Sequence, residues 1–416
     1  MEREVLVHAD VEGTPVLVGR LWVRVRRGRE SASFEYDRSW LARPDCYSLE
    51  PALASGPGGF HTRKALFGAI GDSAPDRWGR ALLRRAEVRR ARSESRAPHT
   101  LFESDFLLLV DDELRVGALR FRTDLDGPFR AEPRPHRVPP VVGLGRLLAA
   151  CNRVTRRDEL NEDLRLLVGP GSSLGGARPK AAIRDRDGGL AIAKFPHADD
   201  DRDIVLWEAL ALALAARAGV AVPHWRIEKA GGRRVLVVRR FDRTGGWRVP
   251  FLSAMSMLGA ADNEQRSYLE IADALRSHGA APRRDLGELW RRVVFSVLVS
   301  NTDDHLRNHG FLFERGMGWH LSPAFDLNPT PTDERARVLA TNIDEFDGTA
   351  SLDVALATAR YYGLGQREAG RIAGEVGVAV AGWREAAAGM GATGRESDRM
   401  ESAFSHEDLE RALELG

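Results

Sequence analysis

The sequence predicts an α+β fold in which a strand-rich first part gives way to a larger helical second part. Three observations predict it: alternating apolar runs near the N-terminus, a second set of short strands between about 180 and 240, and 3.6-residue periodicity after about 251. VLVHAD, TPVLVGRLWVRV and SASFEY alternate like half-buried strands, with the acidic turn DVEG between the first two. A helix is expected over residues 63–70. Another is expected through DSAPDRWGRALLRRAEVRRAR, capped by Asp72 and Ser73 with Pro75 in its first turn. DFLLLVDDELRVGALRF reads as helix then strand and closes a module at 1–125. Five prolines in 128–140 mark 126–140 as a linker. Residues 141–250 then read as helix, Gly-rich loop, the hairpin KAAIRDRDGGLAIAKF, the helix DIVLWEALALALAARAG ending at Gly219, and two strands joined by Gly231-Gly232. Residues 251–416 form the helical part, with SYLEIADALRSHG and DLGELWRRVVFSVLVSN the most periodic segments.

At 416 residues and 43% hydrophobic content, the chain can bury more than one core. Lys and Arg total 61 against 60 Asp and Glu, so no bulk charge draws it to nucleic acid or an anionic membrane. The arginine-rich stretch 77–96 could touch DNA, although a solvated helix face is the commoner meaning of such a run. Two cysteines, Cys46 and Cys151, have no ligand spacing and argue against a disulfide framework or zinc site. MEREVLVHADVEG has no signal-peptide h-region, and the apolar run at 209–216 is too short to span a bilayer, so a cytoplasmic protein is expected.

The chemistry concentrates in NTDDHLRNHGFLFERGMGWHLSPAFD. Asp303, Asn308 five residues later, and Asp326 beyond a hairpin follow the order of a kinase catalytic loop. There the first Asp accepts a hydroxyl proton, and the Asn and second Asp hold magnesium on ATP phosphates. Asp and Asn are common in turns, so the triplet needs support from upstream. GSSLGG (171–176) lacks the Lys-Ser/Thr of a P-loop, yet a Gly-rich turn entering a hairpin suits phosphate contacts by backbone N–H groups. Lys194 on the second hairpin strand would hold phosphates, and Glu208 on the next helix would be its ion-pair partner. The alternative for Lys194 is a strand-edge lysine that guards against aggregation.

GSSLGGARPKAAI, LAIAKFP, VLVVRRFDR, NTDDHLRN, SPAFDLNP and FGAIGDSAPDRWGRALL together resemble the HipA family of bacterial Ser/Thr kinases, over nearly the whole chain. The resemblance implies a two-lobed, kinase-like fold: an N-terminal α+β subdomain, a small β-rich ATP lobe and a larger helical catalytic lobe. It implies ATP and Mg²⁺ as cofactors, Asp303 as base, and Asn308 and Asp326 as metal ligands. Ser173, Gly175, Gly176, Lys194, Glu208, Arg239, Phe241 and Asn308 would form the nucleotide site, with 239–241 meeting adenine. Ser173 would be the self-phosphorylated, inactivating serine, with Ser172 its competitor and Arg178 and Lys180 holding the ejected loop. His305 would have a structural hydrogen-bonding role. The implied partners are a helix-turn-helix antitoxin of HipB type, through which alone DNA is reached, and a protein substrate, drawn in some members from the translation machinery. Two other functions fit the same residues: a catalytically weak, antitoxin-binding co-repressor scaffold, and a small-molecule phosphotransferase.

Overall fold

The computed structural model describes residues 2–130, 138–169 and 176–416. Two compact units divide the chain. One comprises the chain up to Asp199 with Glu228–Leu252, and the other comprises Asp200–Ile227 with Ser253–Gly416.

In the first unit, β1 (Glu2–Val11), β2 (Thr14–Arg26), β3 (Arg29–Tyr36), β4 (Gly59–Thr62) and β5 (Leu119–Arg122) form an antiparallel sheet of order β4-β3-β2-β1-β5. Its first three strands fall where the alternation places them. Glu12-Gly13 and Arg27-Gly28 join them with φ positive at both positions, as two-residue hairpin turns with the right twist require. After α1 (Arg38–Leu41), the helix expected over 63–70 shrinks to α2 (Gly68–Gly71). Half of α2 is glycine, the residue that loses most conformational freedom in a helix. Helix α3 (Arg77–Ser93) is capped by Asp76, not Asp72 or Ser73: its carboxylate accepts from Gly79 N at 2.8 Å, so Pro75 precedes the cap. The helix-then-strand reading that follows holds, as α4 (Glu103–Leu109) and β5.

Helices α5 (Leu144–Arg156) and α6 (Asn161–Val168) pack with α3 on a second sheet. That sheet comprises β6 (Lys180–Arg184), β7 (Leu190–Lys194), β8 (Trp225–Ala230) and β9 (Arg233–Arg239), in order β6-β7-β9-β8. Strand alternation turns Ile183, Ala191, Ala193, Val235 and Val237 into this core and places Lys180 and Lys194 on the other face. A hairpin, β10 (Arg243–Thr244) and β11 (Trp247–Arg248), and the short strand β12 (Phe251–Ser253) follow.

The second unit begins with α7 (Ile204–Arg217), buried along nearly its whole length and ended by Gly219 at φ +77°. Its Trp207 lies against Trp383 and Phe404, whose rings stack at 4.7 Å. The rest comprises α8 (Ala254–Met257), α9 (Tyr268–His278), α10 (Pro282–Leu298), the hairpin β13 (Gly310–Glu314) and β14 (Gly318–Leu321), then α11 (Leu352–Thr358), α12 (Gln366–Ala381), α13 (Trp383–Gly389), α14 (Gly394–Phe404) and α15 (Glu407–Glu414). Both strongly periodic segments are helices, α9 and α10. Ser267 and Glu270 close a capping box on α9, and Leu289, Trp290, Val293 and Val294 of α10 are fully buried. Among the described residues, no helix is long and apolar enough to cross a membrane.

Candidate active site

In the second unit, α10 delivers the chain into the loop that carries Asp303. Ser300 stands at φ +50°, and residues 301–309 run from the helix end to β13. Asn308 Nδ2 donates to Asp303 O at 3.1 Å, which folds the five-residue spacing into a closed turn. Asn308 is buried, and among the described residues its Oδ1 has no hydrogen-bond partner. Asp303 is exposed, with its Oδ1 3.3 Å from Arg335 Nη1. Asp326 adopts φ +60°, a left-handed conformation that side-chain-bearing residues seldom hold without cause. Its segment is fastened to the Asp303 loop twice: Asn328 N donates to Asn301 Oδ1 at 2.9 Å, and Thr330 N donates to Ser300 O at 3.1 Å. Asp303, Asn308 and Asp326 therefore sit on two mutually anchored loops.

Beneath the loop lies a buried polar cluster that sequence reasoning missed. Asp304 Oδ2 accepts from the Tyr268 hydroxyl of α9 and from Ser296 Oγ of α10 at 3.2 Å. His309 Nε2 is 3.1 Å from Asp304 Oδ1, and Thr341 Oγ1 donates to Asp304 O at 2.7 Å. Burial alone raises the Asp304 carboxyl, but His309 and the Tyr268 hydroxyl outweigh it and hold the group below the ordinary carboxylate range. The adjacent aspartates have opposite duties: Asp303 faces water, while Asp304 ties the loop to two helices. His305 joins the loop through its backbone, with its N donating to Asp303 O at 2.9 Å and its carbonyl accepting from Asn308 N at 2.8 Å, and its Nδ1 has no hydrogen-bond partner among the described residues.

In the first unit, Lys194 ends β7, half-buried, directly opposite Lys180 of β6. Like charges across a strand pair repel, and Asp76 relieves this by pairing with Lys180 at 2.8 Å in a buried site. Lys180 Nζ also donates to Gly176 O at 3.4 Å, at the end of the Gly-rich segment. Gly176 has φ +48°. Ser172, Ser173 and Gly175, and 131–137 of the expected linker, lie outside the described residues. Arg239 is exposed and pairs with Asp187, while Arg240 is buried, donating to Asp242 at 2.8 Å and to Leu114 O at 2.6 Å. Phe241, between these arms, lies 6.3 Å from the Phe251 ring. Glu208, in the other unit, is buried on α7. Several arginines of the 77–96 run have intramolecular partners: Arg80 pairs with Glu103, Arg85 with Glu159, Arg90 with Glu94 and Arg96 with Glu87, while Arg77 and Arg92 are exposed.

Among the described residues, no three His, Cys, Asp or Glu side chains gather as a metal cage. The donor set nevertheless fits magnesium, which takes one or two protein oxygens and fills the remainder with phosphate and water. The unsatisfied Asn308 Oδ1 is a buried acceptor of the required kind.

A family model described as the HipA-like C-terminal domain matches residues 172–383, just over half of the chain. The chain belongs to the HipA-like family. Among similar proteins, the Sinorhizobium fredii protein named "Putative kinase Y4mE" is 28% identical over 258 residues, covering 55% of this chain and 58% of that protein. A Haemophilus influenzae protein named "Putative kinase" is 33% identical over 84 residues, 19% of this chain and 24% of that protein. The chain therefore matches well under two thirds of either relative's length. Among solved structures, a chain of the Shewanella oneidensis MR-1 toxin–antitoxin complex of HipA, HipB and operator DNA superposes with a TM-score of 0.66 at 16% identity, covering 99% of this chain and 96% of that one. At that identity the likeness is one of fold.

Proposed function

We propose that this chain is an ATP-dependent serine/threonine protein kinase of the HipA toxin type. The observation that carries the reading is Asn308: its amide nitrogen closes the turn on Asp303, leaving a buried oxygen with no partner among the described residues. A buried acceptor without a partner costs about 1–3 kcal/mol, a cost that a bound cation would offset. In this reading Asp303 takes the proton of the acceptor hydroxyl, and Asn308 and Asp326 hold magnesium. When bound, the metal neutralises charge on the transferring phosphates. Lys194 binds the phosphates, Glu208 is the carboxylate matched to that lysine, Gly175 and Gly176 offer backbone N–H groups, and Arg239 and Phe241 border the adenine. Self-phosphorylation of Ser173 would add about −1.5 to −2 charges beside the nucleotide and switch the enzyme off. The Shewanella complex contains HipB and operator DNA, which supports a HipB-type helix-turn-helix partner here, with DNA reached through it.

Incubation with labelled Mg-ATP and a cell lysate tests the reading. The wild type should label a protein hydroxyl, and Asp303→Asn should lose about 10²–10⁴-fold in transfer while still binding ATP. Mass spectrometry on the same samples should find phosphate on Ser173 only in the wild type. Calorimetry of Asn308→Ala and Asp326→Ala should show a weakened magnesium dependence of ATP binding. A fully active Asp303→Asn chain would remove the assignment.

A further inference from the structure

We propose that Arg335 is the cation that stabilises the phosphoryl group in transit, a role that rests on the kinase reading above. Its guanidinium stands 3.3 Å from Asp303 Oδ1, with side chains 48% and 63% exposed. A pair so wet contributes at most about 1 kcal/mol, so stability does not explain it. The backbone around it is well held. Glu334 N and Arg335 N both donate to Pro331 O, Thr332 N donates to Ser402 Oγ at 3.0 Å, and the Glu334 carboxylate is gripped by Arg202 at 3.1 Å and Arg399 at 3.3 Å. A turn held at several points therefore presents a half-exposed cation beside the candidate base.

The other nearby cations have different work. Arg307, in the loop itself, pairs with Asp262 at 2.9 Å. Arg337 donates to Ser300 Oγ and Val297 O and pairs with Asp408 at 2.7 Å. Phosphoryl transfer spreads negative charge over three equatorial oxygens, and a planar guanidinium fork matches that geometry. In the step, the acceptor oxygen forms its bond to the γ-phosphorus of ATP as the bond from that phosphorus to the β–γ bridging oxygen breaks. The electron pair leaves on ADP, and the hydroxyl proton passes to Asp303.

The test compares wild type, Arg335→Ala and Arg335→Lys for ADP release from Mg-ATP, and for binding of Mg-ADP with and without aluminium fluoride as a planar phosphoryl mimic. Arg335→Ala should lose about 10²–10³-fold in kcat with the KM for ATP within about threefold. It should also lose the fluoride-dependent gain in ADP affinity while melting without nucleotide at the wild-type temperature. Lysine should restore part of kcat, and added guanidinium should restore part in the alanine variant. Unchanged turnover, a loss confined to KM, or faster turnover (which would make Arg335 an inhibitory clamp on Asp303) overturns the proposal. A wild-type chain that neither binds Mg-ATP nor releases ADP sinks the kinase reading and this role together; an active wild type with an equally active Arg335→Ala sinks this role alone.

Discussion

Glu50 shows how much one buried carboxyl can bend the stability of this chain. Burial pushes it from 4.5 up to about 7, although Ala69 N donates to it at 2.5 Å. Below 4.5 both folded and unfolded chains hold the proton. Between 4.5 and 7 the unfolded chain releases it and the folded chain does not, so stability falls by about 3 kcal/mol and levels off above. Denaturant titrations at pH 5 and pH 8 should show Glu50→Gln relieved of most of that fall; parallel pH profiles for the two proteins would contradict it. Tyr268→Phe removes one donor from buried Asp304 and should cost about 1–3 kcal/mol, lowering kcat with little change in the KM for ATP. An unaltered melting temperature would show that the hydroxyl is not needed there. That the segments of Asp303, Asn308 and Asp326 come together was legible in the sequence, because a loop motif keeps its spacing along the chain. The contacts of Tyr268 with Asp304 and of Arg335 with Asp303 were not, since they span 36 and 32 positions, distances at which no periodicity survives.

Elements were legible in proportion to how much of their signal is local. Helices α7, α9 and α10 have apolar faces and end signals in the sequence, and the hairpin β6–β7 has its Asp-Gly-Gly turn. The helix expected over 63–70 failed because apolar content there was not matched by helix-forming backbone. The start of α3 was misplaced by four residues or fewer because Asp72, Ser73 and Asp76 are all competent caps, and only the bond to Gly79 N chooses among them. Helix α9 offers a direct test: Ser267→Ala removes half of its capping box and should cost about 1 kcal/mol. Because α9 also carries Tyr268, the double variant with Tyr268→Phe should depart from additivity, measured by a double-mutant cycle. Elsewhere in the unit, a Cβ on Gly377 of α12 would lie 2.9 Å from Ala412 Cβ of α15. Gly377→Ala should therefore lower the melting temperature despite alanine's better helix propensity, by about 1–3 kcal/mol of overpacking. A rise would mean that the two helices separate freely.

For the molecule as a whole, the sequence conveyed the α+β class and the passage from strands to helices, but not that each compact unit is assembled from two separate stretches of chain. Strand β9 must return from beyond α7 to pair with β7, matching Leu236–Arg239 to Ala191–Lys194. Nothing local in either strand announces that partner. A fragment ending at residue 199 would leave β7 as an open edge, and it should aggregate on expression; a monodisperse folded fragment would contradict this. The same discontinuity governs synthesis. Helix α7, buried on nearly every side in the finished unit, leaves the ribosome about 150 residues before α12 and α13, against which it packs. At about 5–20 residues per second, that apolar helix waits roughly 10–30 s for its cover. The nascent chain therefore presents chaperones with a long-lived, well-defined client segment, and the yield of folded protein should depend on how fast the stretch from 218 to 389 is translated.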